Sequence, residues 1–391
     1  MQGREGTAMR KLAYGIGFAA AALLAACGGG GGDGPLPKGT LQLSLTDAPA
    51  CYRNVEITVE KVRVHKGGNV GDDQEGWVEI VPPNAPVKID LLDLTNGAIA
   101  DLGSADVDIG IYRDMRLVLS DEAGANTVTL LDGTVRELKT PSGQTSGVKL
   151  RTSITVEENE TTDVLLDFDA CKSVVAAGAS GQYILKPVIR LSDKVAGGIQ
   201  GYLDPDLVAS GQVTAVTAYR DGEAVRATTP ADNGKFKLAW LVPGTYTVVI
   251  TSTGRATGVV TGVPVEDSVV TIAGTGSRID LPVSTTHTVR GTVKAGSTPV
   301  IDAFVTARQA IAAGSIDVLS TAVNYVTGAY ELVLPEEPPR VAPYDPSGLA
   351  FADDLTADGY YVLRATAPDR RALTEEIDTR EPSPLTIHFV Y

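Results

Sequence analysis

The strongest constraint on the fold is a two-residue alternation of apolar and polar side chains that recurs along the chain. Leu41, Leu43 and Leu45 fall on one side of an extended segment, with Gln42, Ser44 and Thr46 on the other. Val164, Leu166, Phe168 and Ala170 share a face opposed by Asp167, Asp169 and Cys171. Phe236, Leu238 and Trp240 alternate with Lys235, Lys237 and Ala239, and Tyr246, Val248 and Ile250 with Thr245, Thr247 and Val249. Leu385, Ile387, Phe389 and Tyr391 alternate with Thr386, His388 and Val390. A period of two belongs to strands. One apolar face per strand fits antiparallel sheets with a core on one side and water on the other. The best short helix candidate after the N-terminal leader is Leu91–Leu102, interrupted by Gly97. The expected class is therefore all-β, built of tandem antiparallel β-sandwiches with little helix beyond the leader. The length of 391 residues suits two to four domains.

The leader has its own signature. Arg10 and Lys11 follow Met9, which stands beside Met1 as a possible start, and an apolar run extends from Leu12 to Ala26. That run is short for a bilayer span and has the architecture of a signal peptide over residues 1–26. The string Leu24-Ala25-Ala26-Cys27 resembles a lipobox, which implies cleavage before Cys27 and a lipid on its thiol. Gly28 to Gly32 and the Pro- and Gly-containing stretch after them form a flexible tether over 27–38. By resemblance to lipoprotein sorting rules, Gly28 after the lipidated Cys implies the outer membrane of a Gram-negative cell. The expected location is extracytoplasmic and lipid-anchored, with the membrane as a partner through that lipid. The net charge is −15; losing Arg4, Glu5, Arg10 and Lys11, a net +2, leaves about −17. Such an acidic surface repels phosphate, so nucleic acid is excluded as a partner.

With Cys27 lipidated, Cys51 and Cys171 remain. An even pair in an exported protein predicts a disulfide, two buried thiols being the alternative. The bond would close a loop of about 120 residues.

A weak internal repeat follows. Gly201-Tyr202, the strand Val213–Tyr219, the turn Asp232-Asn233-Gly234, Phe236–Trp240 and Pro243-Gly244-Thr245-Tyr246 form one copy. Val289-Arg290-Gly291, Ala303–Arg308, Thr327-Gly328-Ala329-Tyr330 and Gly359-Tyr360-Tyr361 form the second. Asn-Gly supplies the positive φ of a tight hairpin. Residues 335–358, rich in Pro and acids, read as a long surface loop of the second copy. Both copies resemble carboxypeptidase-regulatory-like and Cna protein B-type domains, which are small prealbumin-like sandwiches. Some such domains form a Lys–Asn isopeptide bond, but no Lys, Asn and acid set for one stands out here.

The segment 39–194 carries a second resemblance. Its residues are Leu45-Thr46-Asp47-Ala48-Pro49-Ala50-Cys51, Val59-Glu60-Lys61-Val62-Arg63-Val64-His65, Trp77, Ile89-Asp90-Leu91-Leu92 and Leu94-Thr95-Asn96-Gly97. To these are added Tyr112, Arg116-Leu117-Val118-Leu119, Gly147-Val148-Lys149-Leu150, Leu166-Asp167-Phe168-Asp169-Ala170-Cys171-Lys172-Ser173 and Leu185-Lys186-Pro187. Together they resemble domain-of-unknown-function family 4382 of bacterial envelope proteins, a resemblance that implies a location but no activity. The expected organisation is then 39–194, 196–284 and 286–391, immunoglobulin-like or prealbumin-like sandwiches with mobile joints near 195–200 and 284–288.

Catalytic signals are sparse. His65, His287 and His388 lie far apart on strand-like segments. Ser146 and Lys149 have Ser-x-x-Lys spacing but sit in a loop or strand, whereas that chemistry needs a helix. The run Asp72-Asp73-Gln74-Glu75 reads as a solvated hairpin tip. No metal or cofactor is assigned. Asp47, Asp167 and Asp169 come nearest to a cation site, because a disulfide would draw Asp47 towards Asp169, and Lys172 is their alternative partner. Trp77 is the candidate platform for a sugar ring. The leading expectation is a non-enzymatic binding or structural module acting on an unknown envelope protein or polysaccharide. A carbohydrate-binding surface protein comes second and a hydrolase third.

Overall fold

The computed structural model describes residues 36–47, 51–71, 73–140, 147–178, 181–209 and 211–391. The leader, Cys27, most of the tether, Asp72 and Ser146 lie outside them. The regular elements of the described residues are almost all strands, as the alternation predicts.

The first module is organised around strand Lys38–Asp47. It pairs parallel with Thr161–Phe168 and antiparallel with Ala100–Asp108, and Ile189–Asp193 extends the sheet beyond Thr161–Phe168. A larger sheet faces it. That sheet runs from Val174–Ala177 through Gln182–Leu185, Val135–Lys139, Thr127–Thr129, Asn54–His65 and Gly110–Leu119 to Val148–Val156. Leu41, Leu43, Leu45, Leu166 and Phe168 are completely buried between the sheets. Each such side chain contributes about 1.5–3 kcal/mol on burial. The helix candidate Leu91–Leu102 shrinks to one 3-10 turn, Leu91–Leu94, capped by the Asp90 carboxylate on Leu92 N–H. Asn96 and Gly97 then take positive φ, +57° and +83°, which ends the helical path, and Ala100–Asp108 continues as strand.

The internal repeat is one topology used twice. Gly198–Tyr202 pairs antiparallel with Lys235–Ala239 and parallel with Val269–Thr271. Thr286–Ala295 pairs antiparallel with Ala329–Pro335 and parallel with Leu385–Val390. The opposing sheet of the first copy orders Glu223–Thr228, Thr214–Arg220, Gly244–Ser252 and Gly258–Val265. In the second copy the order is Gly314–Ala322, Phe304–Ile311, Tyr360–Thr366 and Leu373–Asp378. Gly201 and Gly291 occupy equivalent places. A Cβ at Gly201 would meet the Phe236 ring at 2.7 Å, and one at Gly291 would overlap the Ile387 carbonyl oxygen and press on the Tyr330 ring. Glycine there lets the cross-strand aromatic fold over the backbone.

Residues 335–358 are not simply a loop. Arg340–Pro343 pairs parallel with Gly258–Val265, and Ala352–Asp353 pairs with Arg340–Pro343, so the third module adds two strands to the second module's sheet. Four residues are too few to show a period, but the open edge of Gly258–Val265 offers unpaired N–H and C=O groups that a passing chain can satisfy. Ala342 is completely buried by this pairing. The segment 284–288 is likewise held: Ser284 Oγ accepts from the N–H groups of Glu336 and Glu337 at 3.1 and 3.0 Å, and His287 is buried.

Candidate functional site

The chemistry-bearing residues converge where the three modules meet. Asp167 lies on Thr161–Phe168, opposite Arg190 on the neighbouring strand. The sequence places its carboxylate on a wet face, but strand Glu223–Thr228 of the second module covers that face and Asp167 is 6% exposed. Its partner there is Arg226, equally buried, whose Nη1 lies 2.9 Å from Asp167 Oδ2. Arg226 also donates from Nη2 to Ser192 Oγ at 2.8 Å. Arg190 reaches across to donate to the Ala224 carbonyl at 2.6 Å. Burial raises the Asp167 pKa, and the pull of Arg226 and Arg190 opposes it without cancelling it.

Asp169 plays a different part. It caps the short helix Ala170–Ser173 by accepting from Lys172 N–H at 3.0 Å, and it pairs with Lys172 Nζ at 2.8 Å. The helix carries Cys171, which forms the expected disulfide with Cys51 at a Cα–Cα separation of 5.2 Å. The backbone of Asp47 is registered against Phe168. No group of three or more His, Cys, Asp or Glu able to hold a metal is found among the described residues.

The third module closes the junction. Tyr219 of the second module is buried and accepts from Asp317 N–H at 3.1 Å, and burial drives its phenol pKa up. Asp317 in turn accepts from Arg308 Nε at 2.7 Å. Together these elements enclose a cleft of about 480 Å³ whose lining holds four cations, Lys172, Arg190, Arg226 and Arg255, and four acids, Asp167, Asp169, Asp317 and Glu331. The disulfide sits on its border.

A second contact joins the first two modules. Asn96 donates from Nδ2 to the Thr229 carbonyl at 2.9 Å and accepts on Oδ1 from Lys237 N–H at 2.8 Å. Its own N–H donates to Thr228 Oγ1 at 2.9 Å. Gly97 follows against Ala239, where an added Cβ would stand 2.8 Å from the alanine methyl. The motif Leu94-Thr95-Asn96-Gly97 is therefore a plug for the second module.

The remaining sequence candidates are dispersed. Trp77 is half-buried, donates from Nε1 to the Gly71 carbonyl at 3.0 Å, and has the guanidinium carbons of Arg63 and Arg116 at 4.8 and 5.1 Å from its ring centre. His65 packs on the same indole, accepts on Nδ1 from Gly67 N–H and donates from Nε2 to the Glu75 carbonyl. His388 is exposed beside Thr292, and His287 is buried 3.7 Å from Glu336. Lys149 is an exposed strand residue. Trp240 departs from the apolar face assigned to it: its strand ends at Ala239, and a φ of +62° turns the indole aside.

Sequence reasoning missed Arg226, Tyr219 and the role of Asn96. The available signal was Asp167 itself, an acid inside an otherwise apolar run.

Residues 38–187 match the family model described as domain of unknown function DUF4382. The matched segment contains the disulfide, Asp167, Asp169 and the Asn96 plug. No curated protein matches the chain. Among solved structures, the Bacillus anthracis TIE protein is 13% identical with a TM-score of 0.19, covering 91% of this chain and 51% of its own. This chain thus spans about half the length of that protein. The streptococcal ancillary pilin is 9% identical, TM-score 0.18, over 90% and 98%. The major pilin SpaD of Corynebacterium diphtheriae is 12% identical, TM-score 0.19, over 90% and 96%.

Proposed function

We propose that this chain is an exported lipoprotein that holds three β-sandwich modules as one non-enzymatic binding body outside the cytoplasm. The modules are the DUF4382 domain, 39–194, and two carboxypeptidase-regulatory-like sandwiches, 196–284 and 286–391. Cys27 bears the lipid, the glycine tether lifts the body from the outer membrane, and the partner is an envelope protein or polysaccharide. One observation carries the reading. The module boundaries are bonded by the Asp167–Arg226 pair, the Asn96 plug and the strand Arg340–Pro343. A presenting body needs its modules fixed.

Metabolic labelling with an alkyne fatty acid tests the anchor. The wild-type chain takes up label and fractionates with the outer membrane, and Cys27→Ala abolishes both. Label retained by Cys27→Ala, or a wild-type chain recovered unlabelled, contradicts the anchor.

A further inference from the structure

We propose that the three-module cleft binds a neutral polyhydroxylated ligand, with a short glycan segment as the chemistry it fits. The inference rests on the binding role proposed above and names its site.

Three side chains lining the cleft are each more than nine-tenths buried and each keep a polar atom without a partner: Asp167 Oδ1, Arg226 Nε and Thr257 Oγ1. A buried polar atom left unpaired is costly, and such atoms gather where a ligand completes them. The set comprises one acceptor, one donor and one hydroxyl able to do both. Each lies just behind the cleft wall, out of reach of a water-sized sphere, so a ligand hydroxyl, itself donor and acceptor, meets any of the three once its side chain turns towards the cleft. The lining is balanced at four cations and four acids, so an ionic ligand would leave one sign uncompensated in a partly desolvated site. Thr251 adds a further hydroxyl, while Val213 and Val333 offer apolar surface for the C–H face of a sugar ring. The volume of about 480 Å³ falls within the range of small-molecule sites, which favour domain interfaces. The site is separate from Trp77, whose ring is already packed against arginines.

Titration calorimetry on the mature chain tests this with maltose, cellobiose, lactose and N,N′-diacetylchitobiose, and with glucuronate and glucosamine as charged controls. At least one neutral disaccharide binds saturably with a Kd between about 10 μM and 1 mM. Thr257→Val, nearly isosteric and removing only an unpaired hydroxyl, weakens that binding about tenfold or more with the unfolding midpoint unchanged. Asp167→Asn weakens it too, but because Asp167 also joins two modules, Thr257→Val is the deciding variant. Trp77→Ala leaves it intact. Absence of binding by all four neutral sugars overturns the proposal, as does preference for a charged control, full affinity in Thr257→Val, or loss in Trp77→Ala. Each of these outcomes leaves the fatty-acid labelling result standing, so failure of the site and failure of the anchor are read separately.

Discussion

The side-chain oxygen of Asn96 accepts the backbone N–H of Lys237 at 2.8 Å across 141 residues of sequence. This is a peptide group of one module satisfied by a turn of another, and it makes the first two modules a single hydrogen-bonded unit. Asn96→Gly keeps the positive φ and removes only the carboxamide. It leaves Lys237 N–H without its partner, at a cost of about 1–3 kcal/mol. Urea unfolding followed by tryptophan fluorescence should show the midpoint fall with the slope unchanged.

The Cys51–Cys171 bond ties the ends of two strands 120 residues apart. Replacing both by Ser should lower unfolding free energy by about 4–5 kcal/mol, the loop-closure value for that length. Equilibrium denaturation of the double variant checks it, and mass spectrometry of the untreated mature chain should find Cys51 and Cys171 joined.

Ala342 is buried where the third module's strand lies on the second module's edge. Ala342→Asp places an unpaired carboxylate there, a change that costs several kcal/mol in buried sites. Hydrogen exchange along Gly258–Val265 should rise sharply, while exchange in the first module stays at the wild-type level.

Asp167 gives a pH signature of unusual sign. Its folded pKa lies above the ordinary carboxyl value because burial outweighs the two arginines. Between the ordinary and the raised value the folded state therefore binds more protons than the unfolded state, so stability contributed at this site falls as pH rises through that window. Asp167→Asn lacks the titration. The melting temperature of the wild type relative to Asp167→Asn should increase as pH is lowered from neutral to about 4. A difference that stays flat, or that shrinks in acid, contradicts the assignment.

The alternation made the sandwich class and most of the core legible: Leu41, Leu43, Leu45, Leu166 and Phe168 bury as their spacing requires. The Gly-Tyr pairs exposed the repeat, and Asn233-Gly234 of the first copy is answered by Thr327-Gly328 in the second, with Gly234 and Gly328 both at positive φ. The inter-module face of Asp167 was not legible, because period-two reading treats every polar face as wet and has no term for a neighbouring module. Arg226 was hidden for the same reason. Arg340–Pro343 escaped because a strand of four residues ending in Pro looks like loop unless the edge that receives it is known. Trp240 was misplaced because alternation was carried one residue past the end of the strand, onto a residue with left-handed φ. Asn96 stood in a recognisable motif, but its work is a contact 141 residues away, which spacing alone does not encode.

The three modules behave as one body around their junction. Differential scanning calorimetry of the mature chain measures this most directly. The expected result is one transition with calorimetric and van't Hoff enthalpies in agreement, splitting into separate transitions when Asn96→Gly and Ala342→Asp are combined. Two or three independent transitions in the wild-type chain, unmoved by those substitutions, would contradict it.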